Sequence, residues 1–386
     1  MILLSLPSKI PRLRVQGKEF MPQPKARVNY GDYLQLGKIL NAHSPESAKR
    51  GPAAHDETLF IIIHQTYELW FKQMLHELDS VRELMKRVPM PSTGLATVVA
   101  RLKRVTEIQK ILIDQIHVME TMTTLDFLDF RDDLIPASGF QSLQFRLIEA
   151  TLGVTSHHRL EIEHQFFQSR LKQADRDSLA ACEVGPSLFT LVEGWLERMP
   201  FAQIDEWDFW SQYSDKVELM LERDKGFITN NPNLDERVKA MEMANLNATQ
   251  DGFLTLLDAT RYQKAIEEKK LRLSQKAMLN ALFIKLYRDW PVMQLPHQIL
   301  DLVVDIDELM TTWRYRHVLM VQRLLGTKIG TGGSSGSDYL KKTTERNRVF
   351  IDLFNLSTFL IPRAEIPQLP DFLQAEKGYT YEGTQL

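Results

Sequence analysis

The chain is expected to be all-α, on three observations. Apolar residues recur at three- and four-residue steps over most of its 386 residues, alternating strand patterns are scarce, and the segments between helical stretches are short. None of those segments resembles a long flexible linker, so one helical domain with a helical excursion near 200–270 is expected rather than separate beads.

Taken in order, the first strong helix is "HDETLFIIIHQTYELWFKQMLHELDSVRELMKRV", with acids in its first turn and an end before Pro89. Leu59, Phe60, Ile61, Ile62 and Ile63 make its early part apolar nearly all round, which predicts a central, buried helix. "LATVVARLKRVTEIQKILIDQIHVMETM" follows, amphipathic with Lys and Arg on one face. Further helices are expected near 141–172, 187–198, 207–226, 234–269, 274–288, 298–325 and 338–360. "IPASGF", "TNNPN", "DWPVMQLP" and "GTKIGTGGSSGSD" read as loops between them. Gly326 is a natural stop for the 298–325 helix. No internal repeat is visible.

Composition narrows the function. Hydrophobic residues at 44%, charged residues at 25% and a net charge of -3 describe an ordinary globular chain, without the broad basic footprint of a nucleic-acid binder. The single cysteine, Cys182, cannot form an internal disulfide or a cysteine-ligated metal site, which fits a reducing compartment. "MILLSLPSKIPRLR" is too short an apolar run for a signal peptide, and no stretch reaches the ~18 apolar residues of a membrane span. A cytoplasmic protein is therefore expected. Residues 1–28 form a Pro- and Lys/Arg-rich leader, within which Met21 is a candidate start.

Several chemical signals fail on inspection. "GTGGSSG" follows a helix rather than a strand and lacks Gly-Lys-Ser/Thr, so it is no P-loop; a plain helix connection accounts for it. "EIEH" supplies one Glu-x-x-His, Glu161 to His164, where a di-iron bundle needs two, and "SHHRLEIEH" reads as a solvated charged face. "HELDS" fails the HExxH pattern, and there is no GxSxG elbow. Three residues keep two readings each. His317 lies on the apolar stripe Ile306, Leu309 or Met310, Trp313, His317, Val321, Leu324, either as a hydrogen-bonded core histidine or as an axial haem ligand. His64 stands one turn after Phe60 on a helix with few polar positions, and periodicity does not show whether the two histidines face each other. Arg131, among Asp129, Asp132 and Asp133, makes either a local salt bridge or a bidentate clamp for a carboxylate.

The blocks "NYGDYLQLGKIL", "HDETLFIIIHQTYELWFKQMLHELDSVRE", "ASGFQSLQFRLIE", "WRYRHVLMVQRLLGTKIGTGGSSG" and "VFIDLFNLSTFLIPR" closely resemble the tryptophan 2,3-dioxygenase family, in the family's order. The resemblance covers 29–363 and leaves 364–386 as a C-terminal tail. It implies a helical, homotetrameric enzyme with one haem b per subunit. With O₂ as co-substrate, such an enzyme opens the indole C2–C3 bond of L-tryptophan to give N-formyl-L-kynurenine, the first step of the kynurenine pathway. It puts the proximal iron ligand on His317 with Trp313, Ser138 and Gly139 near the haem, and the distal histidine on His64. Substrate contacts fall on Phe60, Ile61, Ile62, Ile63, Phe127, Arg131 for the carboxylate, and Thr331 for the ammonium and carboxylate end. Tyr30, Tyr33 and Leu34 match a segment that reaches a neighbouring subunit's pocket. The related indoleamine dioxygenases generally lack the distal histidine, so His64 favours narrow tryptophan specificity. An idle haem sensor and a haem-free helical scaffold are the competing classes.

Overall fold

The computed structural model describes residues 14–15, 18–19, 27–154, 172–203, 207–326 and 347–370. These fall in two units, residues 1–45 and 46–386. In the first, a two-residue antiparallel pair joins β1 (Arg14–Val15) to β2 (Lys18–Glu19), Arg14 opposite Glu19. It is the one strand pairing among the described residues. α1 (Tyr30–Leu34) is capped by Asn29, whose Oδ1 accepts the Gly31 N–H at 2.9 Å. Gln35, at φ 53°, turns the chain into α2 (Leu36–Ile39).

The described residues of the second unit are helices joined by turns and loops. Its elements are α3 (His55–Met85), α4 (Ser92–Met119), α5 (Thr124–Arg131), α6 (Leu143–Leu152), α7 (Gln173–Val184) and α8 (Leu188–Glu197). Then come α9 (Phe209–Asn230), α10 (Glu236–Leu257), α11 (Ala259–Glu267), α12 (Gln275–Leu286), α13 (Pro291–Leu325) and the short α14 (Ile351–Asn355). Short 3-10 turns fill several of the joints, among them Leu356–Phe359 after α14. No helix among the described residues is long and apolar enough to cross a membrane.

The main core forms where α3 and α4 lie antiparallel. Met74, Leu78 and Val81 meet Val98, Leu102 and Val105, all at 0% exposure, and each set keeps the helical spacing that puts it on one stripe. Truncating one of them, Leu102→Ala for instance, costs about 2–5 kcal/mol. Phe209, Tyr213, Val217, Phe253, Leu256 and Tyr262 belong to the same core, so the helices of the 200–270 region are built into it.

Three expectations need correction. The all-round burial expected for early α3 belongs instead to α12, where eight of 12 residues are buried. Early α3 is half open, with Ile62 at 44% exposure, because its apolar surface lines a wall rather than filling the centre. "DWPVMQLP" is the start of α13, with Pro291 at its first position, where the missing N–H has no helical partner to lose. Pro296 also lies inside, and the Val292 carbonyl it leaves unbonded is on an exposed residue within reach of water. Finally, Asn347–Phe350 is not helical, because the Val349 and Phe350 N–H groups donate to the buried Asp307 carboxylate at 2.9 and 3.1 Å. Helix resumes at Ile351. Gly326 does end α13, at φ 61°, a conformation that favours glycine.

Candidate functional site

Beside the main core lies a second apolar cluster, drawn from four helices. α3 supplies Ile63, with Phe60 packed against it; α4 supplies Ile116 and Met119; α5 supplies Phe127 and Phe130; α13 supplies Met320 and Leu324. Tyr67 and Trp313 pack against both clusters and mark the seam between them.

α5 owes its register to a capping box. Thr123 Oγ1 accepts the Asp126 N–H at 3.3 Å, and the Asp126 carboxylate accepts the Thr123 N–H at 3.0 Å. A helix begun there puts Phe127, Phe130 and Arg131 on adjoining faces at three- and four-residue steps. Phe60 meets Phe127 at 5.8 Å and Phe130 edge-on at 5.5 Å; Phe127 and Phe130 are perpendicular at 5.4 Å. The expected pair Phe60 and Phe127 is thus brought together, with Phe130 as a third wall. Its spacing from Phe127 in "TLDFLDFR" was the available signal.

His64 is on this wall, its ring centroid 4.1 Å from that of Phe60. Its Nδ1 lies 2.7 Å from the Phe60 carbonyl oxygen. A carbonyl only accepts, so Nδ1 carries the hydrogen and Nε2 is left as the acceptor of the neutral ring. Burial lowers the His64 pKa, against weaker opposition from that bond and from Glu68, so the ring is neutral at pH 7. The side chain is nevertheless open to solvent. Both hold for a group on the wall of a recess, enclosed by protein yet facing open space.

His317 completes the arrangement. It is half-buried on α13, its ring nearly parallel to Trp313 at 5.2 Å and 14°. Its pKa is pushed down to about 4, first by burial and then by the repulsion that a second positive charge would meet from His64 when both rings are protonated. Both histidines back onto the same apolar cluster, His64 through Phe60 and His317 through Trp313. Neither is sealed in a hydrogen-bonded core. Trp313 is held by Tyr67 at 6.0 Å and Phe145 at 5.1 Å. Its buried Nε1 has no hydrogen bond of good geometry among the described residues, although it leans toward the Tyr67 hydroxyl enough to offset part of the burial effect there.

Behind Trp313, Arg314 reaches Glu149 at 2.9 Å, and Arg146 reaches the same carboxylate at 2.8 Å, all three buried. Sequence reading did not anticipate this cluster. Arg131 pairs with Asp132 at 3.3 Å, as the local reading expects, but Asp132 is 78% exposed while Arg131 is mostly covered. Asp133 is taken instead by Arg50. Ser138 is half-buried, its N–H donating to Gln141 Oε1, and Gly139 is exposed in the turn that follows. Ile61 is half-buried and, like Ile62, is not part of the apolar cluster. Tyr30 and Tyr33 are 74% and 75% exposed in the first unit, with Leu34 half-buried. Thr331, Glu161 and His164 lie outside the described residues. Among the described residues, no group of three or more His, Cys, Asp or Glu is placed to hold a bare metal ion. A lone neutral imidazole against an apolar, aromatic wall is the donor set a haem iron takes axially.

The family model for tryptophan 2,3-dioxygenase matches residues 19–360. The chain belongs to the tryptophan 2,3-dioxygenase family. It is 49% identical over 350 residues to the tryptophan 2,3-dioxygenase of Alteromonas mediterranea, covering 91% of this chain and 97% of that one. It is 47% identical over 355 residues to the Dictyostelium discoideum enzyme, covering 92% and 89%. It is 46% identical over 347 residues to tryptophan 2,3-dioxygenase B of Danio rerio, covering 89% and 85%. Those matches take in α3, α5 and α13 alike, so the family relation and the aromatic wall concern the same segment of chain.

Proposed function

We propose that this chain is a haem-dependent tryptophan 2,3-dioxygenase, inserting both atoms of O₂ across the indole C2–C3 bond of L-tryptophan to give N-formyl-L-kynurenine. The observation that supports the reading is that two imidazoles from separate helices back onto one aromatic cluster, His64 through Phe60 and His317 through Trp313. Burial holds the pKa of each below the ordinary histidine value. The haem, when bound, supplies O₂ binding and activation.

His317 would hold the haem iron. A pKa near 4 keeps its imidazole deprotonated and ready to donate at neutral pH. Trp313, stacked on it, sets the plane of the imidazole, and Ser138 and Gly139 would help hold the cofactor. Phe60, Phe127 and Phe130 pack the indole, with Ile61, Ile62 and Ile63 on the same stretch of α3. His64 Nε2, the acceptor left by the Phe60 bond, takes the indole N–H. The product keeps that N–H as a formamide and takes one oxygen atom at each former ring carbon. No net proton leaves, so His64 orients the ring and need not act as a base.

Arg131 binds the substrate carboxylate, exchanging an exposed partner, Asp132, for a buried one. Thr331 holds the ammonium and carboxylate end. Tyr30, Tyr33 and Leu34 complete the recess of a neighbouring subunit in a homotetramer, a role in keeping with the exposure of both tyrosines. A cytoplasmic setting fits the single cysteine.

The test is an absorption spectrum of the haem-replete protein, reduced without air, before and after L-tryptophan and then after O₂. The expected result is a Soret band that shifts with tryptophan, followed by N-formylkynurenine absorbance. A responsive Soret band without product would make the chain a haem sensor. Absence of any Soret band would remove His317 and His64 from their roles together.

A further inference from the structure

α4 carries none of the assigned site residues, yet it touches both helices that carry the histidines, α3 and α13. Two hydrogen bonds tie it to α3. Tyr67 Oη donates to the Leu112 carbonyl at 2.7 Å, and Gln115 Nε2 donates to the Ile63 carbonyl at 3.1 Å. Each helix donates once, and on α3 the two ties bracket His64, at the residue before it and three residues after. α4 is tied in turn to α13, by Gln109 Nε2 to the Ile306 carbonyl at 3.0 Å and by Arg316 to Glu120 at 3.2 Å.

We infer that Tyr67 and Gln115 are positioning residues for substrate recognition, a brace that holds His64 in register on α3. The need for one is geometric. Early α3 lines a half-open wall, so side-chain interlocking fixes its axial position less firmly there than in the deeply packed stretch around Met74 and Leu78. Sliding a helix by one residue moves every side chain by about 1.5 Å, and a hydrogen bond to the indole tolerates only a few tenths of an ångström. Both ties run to backbone carbonyls, so they resist axial sliding of the helix itself. Tyr67 also puts its ring against Trp313, while its hydroxyl, pushed up to about 12 by burial, remains a donor at any physiological pH. The two histidines are therefore spaced from one reference, the C-terminal half of α4.

This role rests on the assignment of His64 made above, and the test separates the two. Tyr67→Phe and Gln115→Met each remove one tie and keep most of the packing volume. They are made in the full-length holoenzyme, alone and in a His64→Ala background, and kcat and KM for L-tryptophan are measured with haem content and Soret position. The expected result is a loss of about five- to tenfold in kcat/KM for each variant. Haem loading and Soret position should be unchanged, and the brace substitutions should cost nothing further once His64 is alanine. Equal losses in both backgrounds would make the ties merely structural, and no loss in either would dispose of the brace. If His64→Ala itself leaves kcat and KM unchanged, the His64 assignment fails instead and the brace with it. Should one variant fail to fold, the other carries the same comparison.

Discussion

Replacing Glu149 by glutamine removes one negative charge from a place that water scarcely reaches. Glu149 is 1% exposed, and its carboxylate takes Arg146 at 2.8 Å and Arg314 at 2.9 Å; their side chains are 10% and 7% exposed. Asn347 Nδ2 donates at 3.5 Å to the same oxygen, Oε1, that Arg314 takes. Glutamine keeps the shape but leaves two buried guanidinium groups without the anion between them. Breaking a buried pair in this way costs about 3–5 kcal/mol, most of it desolvation of the stranded charge. Arg131–Asp132 gives the contrast, since its carboxylate is exposed and Asp132→Ala should cost about 0–1 kcal/mol. Denaturant unfolding at one protein concentration, with haem removed from all samples, reads both. If stranded charge is the cause, adding Arg314→Met to Glu149→Gln recovers part of the loss, because one of the two cations is then gone. A Glu149→Gln cost below about 1 kcal/mol, or no recovery in the double variant, would refute the electrostatic account.

Four further outcomes are expected. The His317 pKa is about 4 in the folded chain against 6.5 unfolded. The unfolded chain therefore binds the proton first, and the haem-free protein loses stability as pH falls from about 6.5 toward 4, by at most about 3 kcal/mol. Denaturant midpoints at pH 7.5 and 5 should show it, and His317→Phe should lose that part of the pH dependence. His317→Ala should abolish the normal haem spectrum, and an unchanged Soret band would count against axial ligation. Arg131→Lys keeps the charge but not the two-pronged geometry, so KM for L-tryptophan should rise about 10- to 100-fold with kcat less affected; an unchanged KM would remove Arg131 from the carboxylate. Thr123→Ala deletes half of the capping box that starts α5 and should cost about 1 kcal/mol in thermal or denaturant unfolding.

Helix type and order were legible because amphipathic spacing is a local property. The stripes of α3 and α4 turned out to be the core stripes, and Gly326 ended α13 where its side chain-free backbone allows the turn. Local signals misled where a distant group claimed the backbone. Asn347–Phe350 has helical composition, yet Asp307, some forty residues away in sequence, takes its N–H groups. Pro291 and Pro296 read as loop, yet one sits where a helix needs no N–H and the other leaves its carbonyl to solvent. Early α3 read as centrally buried because an apolar stretch looks the same whether it faces a core or a half-open wall.

For the site, single residues were visible as candidates, and their relations were not. His64, His317 and Arg131 stood out by type and spacing within their own helices, while Phe60 and Phe127 entered through the family resemblance. That His64 lowers the pKa of His317, that Phe130 joins Phe60 and Phe127, and that Arg314 and Arg146 share Glu149 depend on contacts between helices far apart in the chain. Even the His64 tautomer, fixed by a carbonyl one turn away, needed a coordinate, because spacing permits that bond without requiring it. Periodicity acts through neighbours three and four residues distant, so the sequence by itself determined the helices and the family to which they belong. Which faces meet is decided by packing over the whole chain, and only the folded structure sets both imidazoles against one aromatic cluster.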